Sequence, residues 1–143
     1  VENTMHMYDA VMENYNDCDI IIKAAAPSDY RPIEAVKQKL KGEEITLKLT
    51  KNPDIAKAVG EVKGDRKLVV FCAETQDLLE SARGKLKSKN ADMVVANDVS
   101  AEGAGFDVDT NIVTLIKRDG SESSYPKMSK SQVADLILDE ALR

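Results

Sequence analysis

Asp19-Ile20-Ile21-Ile22-Lys23-Ala24 is the stretch that decides how this chain folds. It is largely a continuous apolar run, which marks a strand covered on both faces inside a parallel sheet. Two further runs of the same kind follow, Lys67 to Ala73 (Lys-Leu-Val-Val-Phe-Cys-Ala) and Asp92 to Ala96 (Asp-Met-Val-Val-Ala). Helical patterns separate them. Met5, Tyr8, Met12 and Tyr15 recur at helical spacing over 4–16, with Asn3 or Thr4 as N-cap. A short helix is expected after Asn52 as cap, with Pro53 in the first helical position, where its missing N–H costs nothing. Residues 76–90 read as a helix with a basic tail. A closing helix from about 130 to 142 turns Val133, Leu136, Ile137 and Ala141 to the core, and Ser129 with Gln132 forms a capping box at its start.

Alternating strands and helices predict an α/β fold: Rossmann-like, a mostly parallel sheet with helices on both faces. Two strands break the pattern. Ile45-Thr46-Leu47-Lys48-Leu49 alternates apolar and polar residues, as a half-exposed antiparallel strand does. Residues 44–50 are expected to form an antiparallel dimerisation arm that pairs with a partner chain. Asn111 to Lys117 is a further strand, leaving at the turn pair Asp119-Gly120.

Composition narrows the function. The chain has 143 residues, about one domain, with 43% hydrophobic and 31% charged residues. A formal net charge of −5 argues against a general nucleic-acid binder. No apolar run reaches the roughly 20 residues that span a bilayer, so no membrane partner is expected and a cytoplasmic location fits. Cys18 and Cys72 lie in or beside apolar runs without metal-type spacing, as buried thiols in a reducing compartment. His6 stands alone on a surface helix, with no partner for a triad or a metal centre. The opening Val1-Glu2-Asn3-Thr4 runs straight into a helical pattern, and no glycine precedes Gly42. The Gly-rich turn that usually opens a nucleotide-binding α/β domain is therefore expected in a segment before this one. Residues 1–143 then read as the carboxyl-terminal portion of a single domain.

Ligands of open parallel sheets bind at the carboxyl ends of the strands. Four polar clusters fall at such ends. Asp29, after the first apolar strand, either caps its own turn or meets a hydroxyl donor or divalent cation. Lys39 and Lys41 flank Leu40; they are either a solvated loop or a pair pointing one way at phosphate oxygens. Pro53-Asp54-Ile55-Ala56 opens a helix whose first N–H groups lack internal partners and favour anions, while Asp54 also complements the helix dipole. Phe71, near a strand end, is either core or a contact for a nucleobase. Lys85 and Lys89, four apart, share one helix face, where like charges call for an anion or for solvent.

Taken together, these stretches resemble phosphopantothenate–cysteine ligase, the synthetase half of the bifunctional coenzyme A biosynthesis protein of many bacteria. The matching pieces are Ala25-Ala26-Pro27-Ser28-Asp29-Tyr30-Arg31-Pro32, Lys39-Leu40-Lys41-Gly42, Lys51-Asn52-Pro53-Asp54-Ile55, Phe71-Cys72-Ala73-Glu74-Thr75, Lys85 to Lys89, Ala96-Asn97-Asp98-Val99 and Gly105-Phe106-Asp107 before Asn111. The order is collinear over nearly the whole chain. The resemblance implies a ligase that makes an acyl-cytidylate from 4'-phosphopantothenate and CTP with Mg²⁺. Cysteine then displaces CMP to give 4'-phosphopantothenoylcysteine. It implies a catalytic role for Lys39 and nucleotide contacts from Asp29, Lys39, Pro53, Asp54, Ile55, Ala56, Phe71, Lys85 and Lys89. It implies also a homodimer and a fused or associated flavin-dependent decarboxylase. Gly42 departs from the family's Lys-Ile-Lys-Lys motif, where a last lysine stands, so one charge is missing or displaced to Lys37. The family's Gly-rich opening and its Asn-x-Ser-Ser-Gly loop have no counterpart here, so this chain alone is expected to be catalytically incomplete, a nucleotide-binding and dimerisation fragment.

Overall fold

The three apolar runs lie side by side. In the computed structural model, which describes residues 1–34, 41–100 and 108–143, they are β1 (Ile20–Lys23), β4 (Lys67–Glu74) and β5 (Met93–Asp98). β1 pairs in parallel with β4, Ile21 opposite Leu68, and β4 pairs in parallel with β5, Val70 opposite Val94. β6 (Thr110–Lys117) runs antiparallel to β5, and β7 (Glu122–Ser129) antiparallel to β6. The sheet order is β1-β4-β5-β6-β7, and β6 alone runs against its fellows. A separate antiparallel ribbon joins β2 (Tyr30–Pro32) to β3 (Leu49–Lys51).

Successive strand residues point to opposite faces, and both faces here are covered. Leu68, Val70, Cys72, Val94 and Ala96 pack under α1 (Thr4–Asn14), α2 (Ile55–Val62) and α3 (Leu78–Ser88). Val69, Met93, Val95, Val113 and Leu115 pack under α4 (Lys130–Leu142), which contributes Val133, Ile137 and Ala141 with Leu136 beside them. With water on neither side, no position of β4 or β5 favours a polar residue until the strand ends. The α/β class, the helices on both faces and the mostly parallel sheet match expectation. The capping box at Ser129 and Gln132 is present, and Asn3 caps α1 through a bond from the His6 N–H.

Several expectations need correction. Asn52 is not a helix cap and Pro53 does not begin a helix: Asp54 caps α2, and Ile55 is its first residue. The 44–50 strand shrinks to β3, and over Leu49–Lys51 its partner is β2 of the same chain. Cys72 is fully buried, but Cys18 is only half-buried, its thiol donating to the Tyr15 carbonyl at 3.3 Å. β2 and β7 carry no strand signal in the sequence. Lys39 lies outside the described residues, as does Lys37.

One close approach sets the geometry of the site. A Cβ on Gly60 would lie 1.8 Å from the Lys89 carbonyl oxygen, so α2 meets the end of α3 only because residue 60 has no side chain. Asn90, in the left-handed region at φ +50°, donates its amide to the Gly60 carbonyl at 2.7 Å and locks the contact. Lys89 is thereby brought over the start of α2.

Candidate functional site

The carboxyl ends of β1, β4 and β5 open into a cleft of about 650 Å³. Asp29, Pro53, Asp54, Ile55, Ala56, Phe71, Lys85 and Lys89 all line it. They arrive from four separate stretches of chain, as expected where strands of a parallel sheet end together.

Asn52 fastens the loop that carries Asp29. Its side-chain amide donates to the Ser28 carbonyl at 2.8 Å and to the Thr4 hydroxyl at 3.4 Å, and its backbone N–H donates to the Asp29 carbonyl at 2.7 Å. Arg31 in turn donates to the Asn52 side-chain oxygen at 2.9 Å and to the Lys51 carbonyl at 3.0 Å. This network explains why Asn52 is buried and unavailable as a cap. The Asp29 carboxylate itself makes no hydrogen bond or ion pair among the described residues, so it does not cap its turn.

At the start of α2 the Asp54 carboxylate accepts the Lys57 N–H at 3.0 Å with Oδ1 and the Lys89 ammonium with Oδ2. Partial burial works against the Asp54 charge, but the hydrogen bonds from Lys89 and Lys57 prevail and hold the carboxyl below its ordinary range. The N–H groups of Ile55 and Ala56, in the first turn, have no intrahelical partner and belong to residues that line the cleft.

Lys85 lies 3.1 Å from Glu74, at the end of β4. Burial pulls the Lys85 pKa down, yet the hydrogen bonds to Glu74 and Cys72 outweigh it and raise the value. The repulsion expected between Lys85 and Lys89 is thus met in part by the protein's own carboxylates, Glu74 and Asp54. Phe71 packs against the α4 side of the core and also lines the cleft.

Two residues of the cleft were not singled out as site residues from the sequence, although Asn97 falls in the quoted Ala96-Asn97-Asp98-Val99 stretch. Lys23 ends β1, and Asn97 sits near the end of β5. Asn97 is only 7% exposed, and its Oδ1 has no hydrogen-bond partner among the described residues. An unsatisfied buried carbonyl is costly, so this atom is poised to accept an N–H or O–H from a bound molecule. Among the described residues no cluster of three metal-ligating side chains occurs, and His6 is exposed on α1. No helix of the described residues is long and apolar enough to cross a membrane. The cleft offers ammonium groups, helix N–H donors, a carboxylate unpaired among the described residues, an aromatic residue and a buried acceptor, which together suit a polyanion bearing a polar ring.

Comparison with known proteins agrees in outline. The chain is 46% identical over 142 residues to the Bacillus subtilis (strain 168) coenzyme A biosynthesis bifunctional protein CoaBC, covering 98% of this chain and 35% of that protein. The protein of the same name from Vibrio vulnificus is 43% identical over 143 residues, with 96% of this chain and 35% of the relative covered. The chain therefore spans about a third of the length of these curated relatives. The crystal structure of the C-terminal domain of CoaBC superposes with a TM-score of 0.80 at 36% identity, covering 98% of this chain and 61% of the other. All of residues 1–143 match the family described as DNA/pantothenate metabolism flavoprotein C-terminal domain, and the chain belongs to that family.

Proposed function

We propose that this chain supplies the nucleotide-gripping part of a cytoplasmic ligase of coenzyme A biosynthesis. The ligase joins 4'-phosphopantothenate to cysteine at the expense of CTP. The observation that carries this reading is the meeting of Asp29, the α2 start, Phe71, Lys85 and Lys89 in one cleft.

The chemistry is the one that the family resemblance implies, and the groups of the cleft suit it. The substrate carboxylate attacks the α-phosphorus of CTP, and the P–O bond to pyrophosphate breaks, leaving an acyl-cytidylate. Negative charge grows on the departing oxygens, and Lys85 and Lys89 supply compact positive charge there, with Lys39, outside the described residues, taken into the same role on the resemblance alone; such stabilisation often amounts to several kcal/mol. The cysteine amine then attacks the acyl carbon, CMP leaves with the electron pair of the C–O bond, and the amine loses a proton. Ile55 and Ala56 offer backbone N–H groups to phosphate or base, Phe71 flanks the base, and Asn97 Oδ1 accepts a ligand N–H or O–H. Mg²⁺ fits as well. Asp29 is the cleft carboxylate without a lysine partner among the described residues, and magnesium sites commonly take one or two carboxylates plus substrate phosphates. The ion would neutralise phosphate charge. A homodimer is supported by the exposed apolar side chains along the arm, Tyr30, Ile33, Ile45, Leu47 and Leu49. A fused flavin-dependent decarboxylase is supported by the bifunctional name of the relatives.

The test uses protein expressed from its complete reading frame. CTP with Mg²⁺ should raise the melting temperature and yield 4'-phosphopantothenoylcysteine, CMP and pyrophosphate, with ATP as comparison. Lys39→Gln should abolish product with an unchanged melting temperature. Normal turnover by that variant would remove Lys39 from the mechanism, and a CTP-independent wild type would remove the ligase reading.

A further inference from the structure

We infer that Lys23, at the carboxyl end of β1, is a further phosphate-binding residue of this cleft, contacting the nucleoside triphosphate. The inference rests on the nucleotide reading above and deepens it.

Three observations converge. First, Lys23 is the cleft lysine placed on the five-stranded sheet: it ends β1 with its Cα opposite Val70, and it lines the cavity with Phe71 and Asn97. The three residues before it are isoleucines. A side chain needed only for packing would be served by a fourth.

Second, it has no ion-pair partner among the described residues. Lys85 has Glu74 and Lys89 has Asp54, whereas no carboxylate lies within ion-pairing distance of the half-buried Lys23 among the described residues. Its ammonium donates once, to the Ala25 carbonyl at 3.0 Å. An ammonium has three donors, so two remain for a ligand.

Third, the surroundings disfavour the charge until an anion arrives. Burial lowers the Lys23 pKa, and repulsion from Lys89 and Lys85 adds to it, against the more favourable fields of Asp54 and Asp29. A triphosphate among Lys23, Lys85 and Lys89 reverses the sign of that field. The fold therefore holds a half-buried cation that gains its counter-charge when substrate binds, which is how binding energy becomes selective for the polyanion.

The bland alternative is that Lys23 merely pins the Ala25 loop through its carbonyl bond. The two roles separate cleanly in titration calorimetry on protein from the complete reading frame. Lys23→Met should weaken CTP binding about ten- to a hundredfold, the size of one lost charge-assisted hydrogen bond. It should leave CMP and 4'-phosphopantothenate little changed, and Lys23→Arg should restore most of the CTP affinity. The Lys23→Met protein should also melt no lower than wild type at neutral pH, because a half-buried cation has gone. Equal weakening of CTP and CMP, or weakening of 4'-phosphopantothenate alone, would overturn the inference. So would CTP affinity equal to wild type. A wild type that fails to bind CTP defeats the nucleotide reading and this inference together; a wild type that binds while Lys23→Met binds equally well defeats only the latter.

Discussion

Asp54 carries three duties on one carboxylate. It caps α2 through the Lys57 N–H, it holds Lys89, and it lines the cleft. Its depressed pKa converts to a pH dependence with a definite sign. A carboxyl whose folded pKa lies below its unfolded value adds stability above that unfolded value, here 3.8, and loses it as pH falls through the folded one. Melting curves across acid pH should show Asp54→Asn less stable than wild type near neutrality. The two should converge only at pH values below the depressed folded pKa, where the Asp54 carboxyl is protonated in the folded protein as well. A constant gap at all pH values would mean that the cap, not the charge, carries the effect. At this scale the apolar runs placed Lys85, Lys89, Asp29 and Phe71 near strand ends, where they do line the cleft, but each stood open to a bland reading until the family resemblance singled it out. Lys23 and Asn97 were not singled out at all. Their meaning lies in what they fail to touch, and an unpaired ammonium or an orphaned carbonyl exists only once the fold has distributed partners.

Among elements, the α2–α3 contact is the most demanding. Gly60→Ala would drive a methyl into the Lys89 backbone, an overpacking that typically costs about 1–3 kcal/mol and more where backbone must move. Because Lys89 is the residue displaced, CTP affinity should fall along with the melting temperature. Gly84→Ala, where nothing lies within 4 Å of the added carbon, should do neither. Equal behaviour of the two variants would show that the contact does not position the site. The long strands and helices were readable because their periodicity is imposed by a core on each side. Asn52 misled because Asn before Pro is a common helix signal, yet its side chain is consumed by Ser28, Thr4 and Arg31. β7 was missed because Glu122-Ser123-Ser124 and Pro126 resemble a loop. Its pairing comes from β6, whose Val113 stands opposite Tyr125, and not from its own composition.

At the level of the molecule, the sheet divides its labour by strand end. The carboxyl ends of β1, β4 and β5 gather the cleft, while their opposite ends are closed by ion pairs, Lys63 with Asp92 at 2.8 Å and Lys117 with Glu140 at 2.6 Å. The class of fold, its two covered faces and its ligand end follow from three apolar runs and their flanks. The ribbon of β2 and β3 does not, since it draws on local backbone bonds that leave little trace in hydropathy.

β7 has a consequence beyond the site. It forms the last strand on its side of the sheet, and Pro126 within it has no N–H to offer a newcomer, while the register slips between Asn111 and Val113. A border of this kind cannot template further strands, so crowded solutions of the protein are protected from ribbon-like self-association along it. Pro126→Val should restore a continuous row of donors and speed the rise of light scattering on storage at high concentration, with secondary structure unchanged by circular dichroism; an unaltered scattering rate would show that protection comes from elsewhere.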